Sequence, residues 1–201
     1  MAVKRLDDSK ISLLYDHNID IDNRRIFLHE ELESSSSLRE FTESSYSHTG
    51  PVETIIRGLF LLDKTPGPIE LWINSPGGLM SEMFALYDII QTLKNPIHTV
   101  GFGLACSAAG LILACGDKRY ATKHCFFMSH LGSASAEGDL FTMEDQVAFS
   151  KRYYNLWLEL MEQNTNKNKA WWKRTLESKR RELWLNATEM KECGIIDDIW
   201  K

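Results

Sequence analysis

No apolar run in these 201 residues approaches the roughly 20 that a membrane-spanning helix requires. The opening, Met-Ala-Val-Lys-Arg-Leu-Asp-Asp, lacks the apolar stretch of a secretory signal peptide. Cysteine is scarce. Cys106, Cys115, Cys125 and Cys193 are scattered among apolar or small neighbours without paired spacing, so they read as reduced, buried thiols of a reducing compartment. His124-Cys125 is half of a metal-binding pair, but no second pair at ligand spacing follows, and neither a metal nor a cofactor is expected. Basic residues are not in excess. With 23 Lys and Arg against 28 Asp and Glu the net charge is −5, which argues against nucleic acid as a partner. What is present is 43% hydrophobic residues, enough for one globular domain with a real core.

The apolar residues fall into alternating strand-like and helix-like runs. Residues 1–24 are polar and charged around one apolar cluster (Ile11, Leu13, Leu14, Tyr15), and Arg25-Ile26-Phe27-Leu28 reads as the first core strand. Residues 30–51 form a Ser-rich, acidic stretch too poor in aliphatics to bury much surface. A solvated loop is the plain reading and a docking element for a partner the sharper one. Ile55, Ile56, Leu59, Phe60 and Leu62 then mark a helix over residues 52–63, broken by Pro66-Gly67-Pro68. A strand over 69–73, a helix from Met80 to the stop at Asn95-Pro96, and a strand over 97–101 follow. Such alternation implies parallel pairing with helices packed outside, an α/β fold.

A helix over about 142–163 carries two apolar stripes. One is Met143, Val147, Tyr154, Trp157, Leu158 and Met161, and the other is Phe149, Tyr153, Leu156 and Leu160. A helix apolar on two faces needs two surfaces to cover it, and one small domain seldom supplies both, so the pattern predicts a homo-oligomer. The basic run Lys179-Arg180-Arg181, flanked by Glu177 and Glu182, reads as a solvated helix face. Asn186 is an N-cap with Glu189 in the first turn, Gly194 ends that helix, and Ile195-Ile196 begin a last short strand.

Chemistry concentrates in residues 101–116, Gly-Phe-Gly-Leu-Ala-Cys-Ser-Ala-Ala-Gly-Leu-Ile-Leu-Ala-Cys-Gly. They read as strand, tight turn and buried helix, with Ser107 where the helix begins. The plain reading makes Ser107 an N-cap. The sharper one makes it a nucleophile, with small neighbours leaving room for a carbonyl and helix-start N–H groups facing developing negative charge. Two further stretches favour the second. Asn74-Ser75-Pro76-Gly77-Gly78 ends one strand-like run and opens a helix, and its paired glycines let amides turn toward a ligand. His130 closes the apolar run Phe126-Phe127-Met128. Serine, histidine and glycine-rich amides are the minimum set for acyl transfer.

At these residues the chain resembles the proteolytic subunits of the Clp protease family, whose fold is shared with the crotonases. Ile73-Asn74-Ser75-Pro76-Gly77-Gly78 is similar to that family's oxyanion loop. Gly103-Leu104-Ala105-Cys106-Ser107-Ala108-Ala109-Gly110 resembles its nucleophile motif, and Met128-Ser129-His130 its histidine motif, although Leu131-Gly132 stand where the family has Gln-Pro. Leu185-Asn186-Ala187, Glu189 and Gly194-Ile195-Ile196-Asp197 resemble the closing segment. The likeness spans about residues 25–198, and residues 30–51 exceed it by about a dozen.

The resemblance implies stacked β-β-α units with a protruding handle, one strand and one long helix, over about residues 132–164, and an axial gate over residues 1–24. It implies a serine endopeptidase with Ser107 as nucleophile, His130 as general base and then acid, and an oxyanion hole from the amides of Gly78 and Ala108. It also implies two stacked rings, heptameric and so a tetradecamer, served by an AAA+ unfoldase. Their substrates are peptides and unfolded proteins in a cytoplasmic, bacterial, viral or plastid setting. At the third catalytic position the family has aspartate, and here Glu182 stands. It reads either as the carboxylate that orients His130 or as a surface glutamate. That departure keeps two other readings open, a catalytically impaired ring subunit and a crotonase-type acyl-CoA enzyme.

Overall fold

The computed structural model describes residues 7–33, 50–179 and 182–201. Among them the elements run α1 (Asp8–His17), β1 (Ile19–Asp20), β2 (Arg25–Leu28), α2 (Pro51–Leu62), β3 (Ile69–Ser75), α3 (Met80–Thr92) and β4 (Ile97–Cys106). Then come α4 (Ala108–Ala114), β5 (Lys118–Ala121), β6 (Phe126–His130), α5 (Leu140–Asn164), α6 (Lys169–Lys179), β7 (Glu182–Asn186), α7 (Ala187–Glu192) and β8 (Asp198–Ile199). Most of the Ser-rich stretch, residues 34–49, and Arg180-Arg181 of the basic run lie outside the described residues.

One sheet joins the strands in the order β1-β2-β3-β4-β5-β8. The contacts β2–β3, β3–β4, β4–β5 and β5–β8 are all parallel. Parallel neighbours need helical crossovers that cover the sheet, and the central strands are accordingly β-branched and apolar. Ile69, Leu71 and Ile73 of β3 are fully buried, in a pattern that alternates along the strand. Pro51 opens α2 at a position where its missing N–H costs nothing. Val52, Ile55, Leu59 and Leu62 turn one buried face of that helix to the core.

Strand β4 is the pivot. Its first half pairs with β5, from His98 opposite Lys118 to Gly101 opposite Ala121. Its second half pairs instead with β6, Leu104 opposite Phe126 and Cys106 opposite Met128. Strand β6 then carries β7 antiparallel on its far side. The fork explains the one sharp departure from sequence reading here. The strand expected over 97–101 continues through Gly101 and Gly103 to Cys106, and the chain turns, as expected, at Ser107. Gly103 serves a bulge against β3, with φ +72°, where a Cβ would stand 2.5 Å from Asn74 Oδ1.

Helix α4 is buried at every position from Ala108 to Ala114. It lies hard against β6: a Cβ at Gly110 would meet the ring of fully buried Phe127 at 2.5 Å. Phe127 in turn packs near Trp172 of α6, with ring centroids 6.2 Å apart. Asn186 caps α7 with a complete capping box involving Glu189, as its sequence foretold.

One further expectation is corrected: the last strand begins at Asp198, while Ile195 and Ile196 are buried in the turn before it. Residues 8–17 form a capped helix, with Asp7 accepting from the amide of Ser9 and Asn18 closing it in the left-handed region. Residues 131–137 pair with no strand among the described residues.

Helix α5 divides along its length. Trp157, Leu158, Leu160 and Met161 are buried, whereas Leu140, Phe141, Val147, Phe149 and Leu156 are exposed. Tyr153 sits against Phe84, ring centroids 5.1 Å apart, so it belongs to its own chain's packing.

Gly110→Ala is expected to lower stability by about 1–2 kcal/mol, because overpacking against a ring with no room to move outweighs the gain in helix propensity. Thermal unfolding monitored by circular dichroism checks this, as a drop in Tm.

Candidate active site

The parallel pairing of β4 with β6 brings the end of one strand beside the end of the other. Ser107 follows Cys106, which pairs with Met128, and His130 lies two residues beyond Met128. The amide of Ser107 donates to the Met128 carbonyl at 2.6 Å, locking the two strand ends together. Ser107 itself has φ 52° and ψ −122°, a conformation that non-glycine residues rarely adopt. This sharp strand-to-helix turn projects the hydroxyl out of the sheet, and Ser107 Oγ lies 2.8 Å from His130 Nε2. The N-cap reading of Ser107 fails, because its side chain caps no amide of α4.

The glycine loop packs directly on this turn. A Cβ at Gly77 would stand 2.6 Å from the Cys106 carbonyl and 2.8 Å from Ser107 Cβ, so only glycine allows the approach. Gly78 has φ +144°, and there a Cβ would meet the Leu32 backbone at 2.5 Å. Leu32 clamps the loop from the other side, its amide donating to Gly77 O at 2.7 Å and its carbonyl accepting from Leu79 N at 2.8 Å. The polar residues of the loop are structural. Ser75 donates its hydroxyl to the Glu30 carbonyl and accepts from Gly77 N, and Asn74 Oδ1 accepts from Leu104 N. Gly78 and Ala108 thus flank Ser107, and the Ala108 amide, at the first position of α4, has no intrahelical acceptor.

A cavity of about 480 Å³ opens over the pair. Met80, Met83, Met128, Tyr154 and Trp157 give it apolar walls beside Ser107, His130 and Gly78. Tyr154 and Trp157 come from α5, one turn apart, and the sequence marked them only as parts of an apolar stripe. Glu31 and Glu33 also line it, and no signal in the Ser-rich stretch pointed to them.

Cys106, next to Ser107, is no rival nucleophile. Burial, with a smaller push from the Glu182 charge, raises its thiol above the usual range, only partly offset by a backbone contact with Met128. Burial pushes Cys115 and Cys125 up to about 12. All four cysteines are free and buried. Among the described residues no helix is long and apolar enough to cross a membrane.

Glu182 stands directly opposite His130 across the β6–β7 pair, so the two side chains share one face of the sheet. Its carboxylate makes no hydrogen bond to the imidazole. Oε2 accepts instead from the indole Nε1–H of Trp184 at 2.7 Å. Sequence reading passed over Trp184, whose contribution depends on strand alternation and on which face of β7 is open.

The oxyanion-hole expectation for Gly78 predicts that Gly78→Ala, whose Cβ would meet the Leu32 backbone and displace the amide, lowers acyl transfer by about a hundredfold, the scale of losing one oxyanion donor. Steady-state assays should show the loss mainly in kcat.

The family model described as Clp protease matches residues 21–201. The ATP-dependent Clp protease proteolytic subunit 1 of Protochlamydia amoebophila (strain UWE25) is 32% identical over 197 residues, 95% of this chain and 86% of that protein. The ATP-dependent Clp protease proteolytic subunits 2 of Nocardia farcinica (strain IFM 10152) and Thermobifida fusca (strain YX) are 38% and 34% identical over 136 residues. Each of those matches covers 65% of this chain and 64% of the relative.

Proposed function

The chain belongs to the Clp protease family, and from that premise we propose that Ser107, His130 and the amides of Gly78 and Ala108 carry out its serine endopeptidase reaction. The observation that carries this reading is the 2.8 Å contact between Ser107 Oγ and His130 Nε2 at a strained turn. As Oγ attacks the scissile carbonyl, His130 Nε2 takes its proton, and negative charge gathers on the carbonyl oxygen. The two amides then hold that oxyanion, which costs little because the glycine loop and the start of α4 are already ordered. Collapse of the intermediate passes the proton from His130 to the leaving amine. Water repeats the sequence in reverse to free the acyl group.

The cavity beside Ser107, walled by Met80, Met83 and Trp157, suits apolar substrate side chains. Glu182, opposite His130, is the proposed orienting carboxylate: turned to the ring, its unbonded Oε1 would accept the Nδ1–H, set the tautomer and steady the imidazolium.

Clp protease subunits form an oligomeric chamber that works with Clp ATPases. The proposed assembly here is two stacked heptameric rings, fed with unfolded chains by an AAA+ unfoldase, in a reducing cytoplasmic compartment. The exposed apolar stripe of α5 supports association through that helix, and the four free thiols support the compartment.

Ser107→Ala is expected to abolish cleavage and labelling by a fluorophosphonate probe while leaving fold and assembly intact. Labelling of the variant at the native rate would remove Ser107 from the role. Glu182→Gln is expected to lower kcat at least roughly a hundredfold. Phe149→Asp with Leu156→Asp is expected to split the particle into smaller species without unfolding it, which analytical ultracentrifugation reads directly. A native protein that sediments at 23.1 kDa, the mass of one chain, would end the assembly proposal.

A further inference from the structure

Six side chains share the open face where β6 meets β7, and four of them lie beside the proposed site. His130 stands opposite Glu182 and Met128 opposite Trp184, and alternation along β7 leaves Glu182 and Trp184 on the same exposed side. Two hydrogen-bonding groups in this patch are spoken for and two are not. His130 Nε2 faces Ser107 Oγ, and Glu182 Oε2 accepts from Trp184 Nε1–H at 2.7 Å. Among the described residues, Glu182 Oε1 and His130 Nδ1 make no hydrogen bond. They are the acceptor and the donor that a complete serine–histidine–carboxylate relay requires, and they sit on directly opposed residues.

We propose that Trp184 is a positioning residue for catalysis, its indole N–H pinning one oxygen of Glu182 so that the other is presented to His130 Nδ1. The inference rests on the reading of Glu182 as the orienting carboxylate. The physical need for a pin comes from the longer acid. A glutamate has one more rotatable bond than an aspartate, and Glu182 is exposed, so water competes for its carboxylate and free rotation disperses it. A carboxylate has acceptor capacity for two donors at once, one at each oxygen. A donor two residues along the same strand lies on the same face, within reach of the longer side chain. Trp184 itself is 48% exposed, and its N–H is satisfied by a charged acceptor.

Peptidase kinetics on the assembled full-length protein test this. Trp184→Phe keeps the ring and removes the N–H. It is expected to lower kcat about tenfold, the lower end for an outer hydrogen bond that orients an active-site group, with KM changed less than about twofold. Trp184→His, which keeps a ring N–H, is expected to recover part of that loss. In a Glu182→Gln background, Trp184→Phe should cost nothing further, because the charge it positions is gone. A wild-type kcat for Trp184→Phe, or the same loss in both backgrounds, would overturn the pin and leave Trp184 a packing residue. If Glu182→Gln alone cleaves peptide at the wild-type rate, the assignment of Glu182 falls, and the pin falls with it. The first pattern leaves Glu182 in its role and the second does not, so the two failures are distinct.

Discussion

The site depends on one constraint, the change of partner along β4. A strand that gave its whole length to β5 would end with Ser107 beside nothing that can take a proton. By releasing β5 after Gly101 and pairing Leu104–Cys106 with β6, β4 delivers Ser107 to the end of the strand that carries His130. The 2.6 Å bond from Ser107 N to Met128 O closes the junction. Each supporting feature protects that alignment. Gly110 lets α4 lie against Phe127, Gly77 lets the glycine loop approach the turn, and Leu32 holds the loop from outside.

This arrangement trades local strain for order. Ser107 occupies a conformation that costs of order 1–3 kcal/mol, and it persists because burial around it over-determines the backbone. The helix that follows has no exposed residue, and the strands on either side contribute fully buried Ile73, Val100 and Phe127. As the proposed nucleophile, a Ser107 fixed in this way needs no rearrangement to meet a carbonyl, and that is where preorganised catalysis gains its advantage over water. The third group is different in kind. Glu182 is exposed and carried by an edge strand, so its orientation depends on neighbouring side chains rather than on the core.

The long helix shows the same division between core and surface. Its last turns are buried against α4 and α6, and Trp157 and Tyr154 also wall the cavity. Its earlier turns carry apolar residues into solvent. Among the described residues they stay exposed, and the proposed association through this helix would cover them.

Much of this was legible in the sequence. Short motifs proposed Ser107, His130, Gly78 and Ala108 as one site, because acyl transfer demands those residue types, and the fold brings all four to the wall of one cavity. The elements around them followed from apolar spacing, and the α7 cap from Asn186 and Glu189. Tertiary structure alone decided the rest. The strand read over 97–101 runs on to Cys106, because pairing with β6 carries it past Gly101 and Gly103. Residues 8–17 carried too few apolar positions to announce a helix, and capping by Asp7 and Asn18 made one. Tyr153 looked like part of an oligomer stripe, but Phe84 of another element covers it. The partner of Glu182 was beyond any motif, because strand register decides which side chains face each other, and register is a property of two strands rather than of one sequence segment.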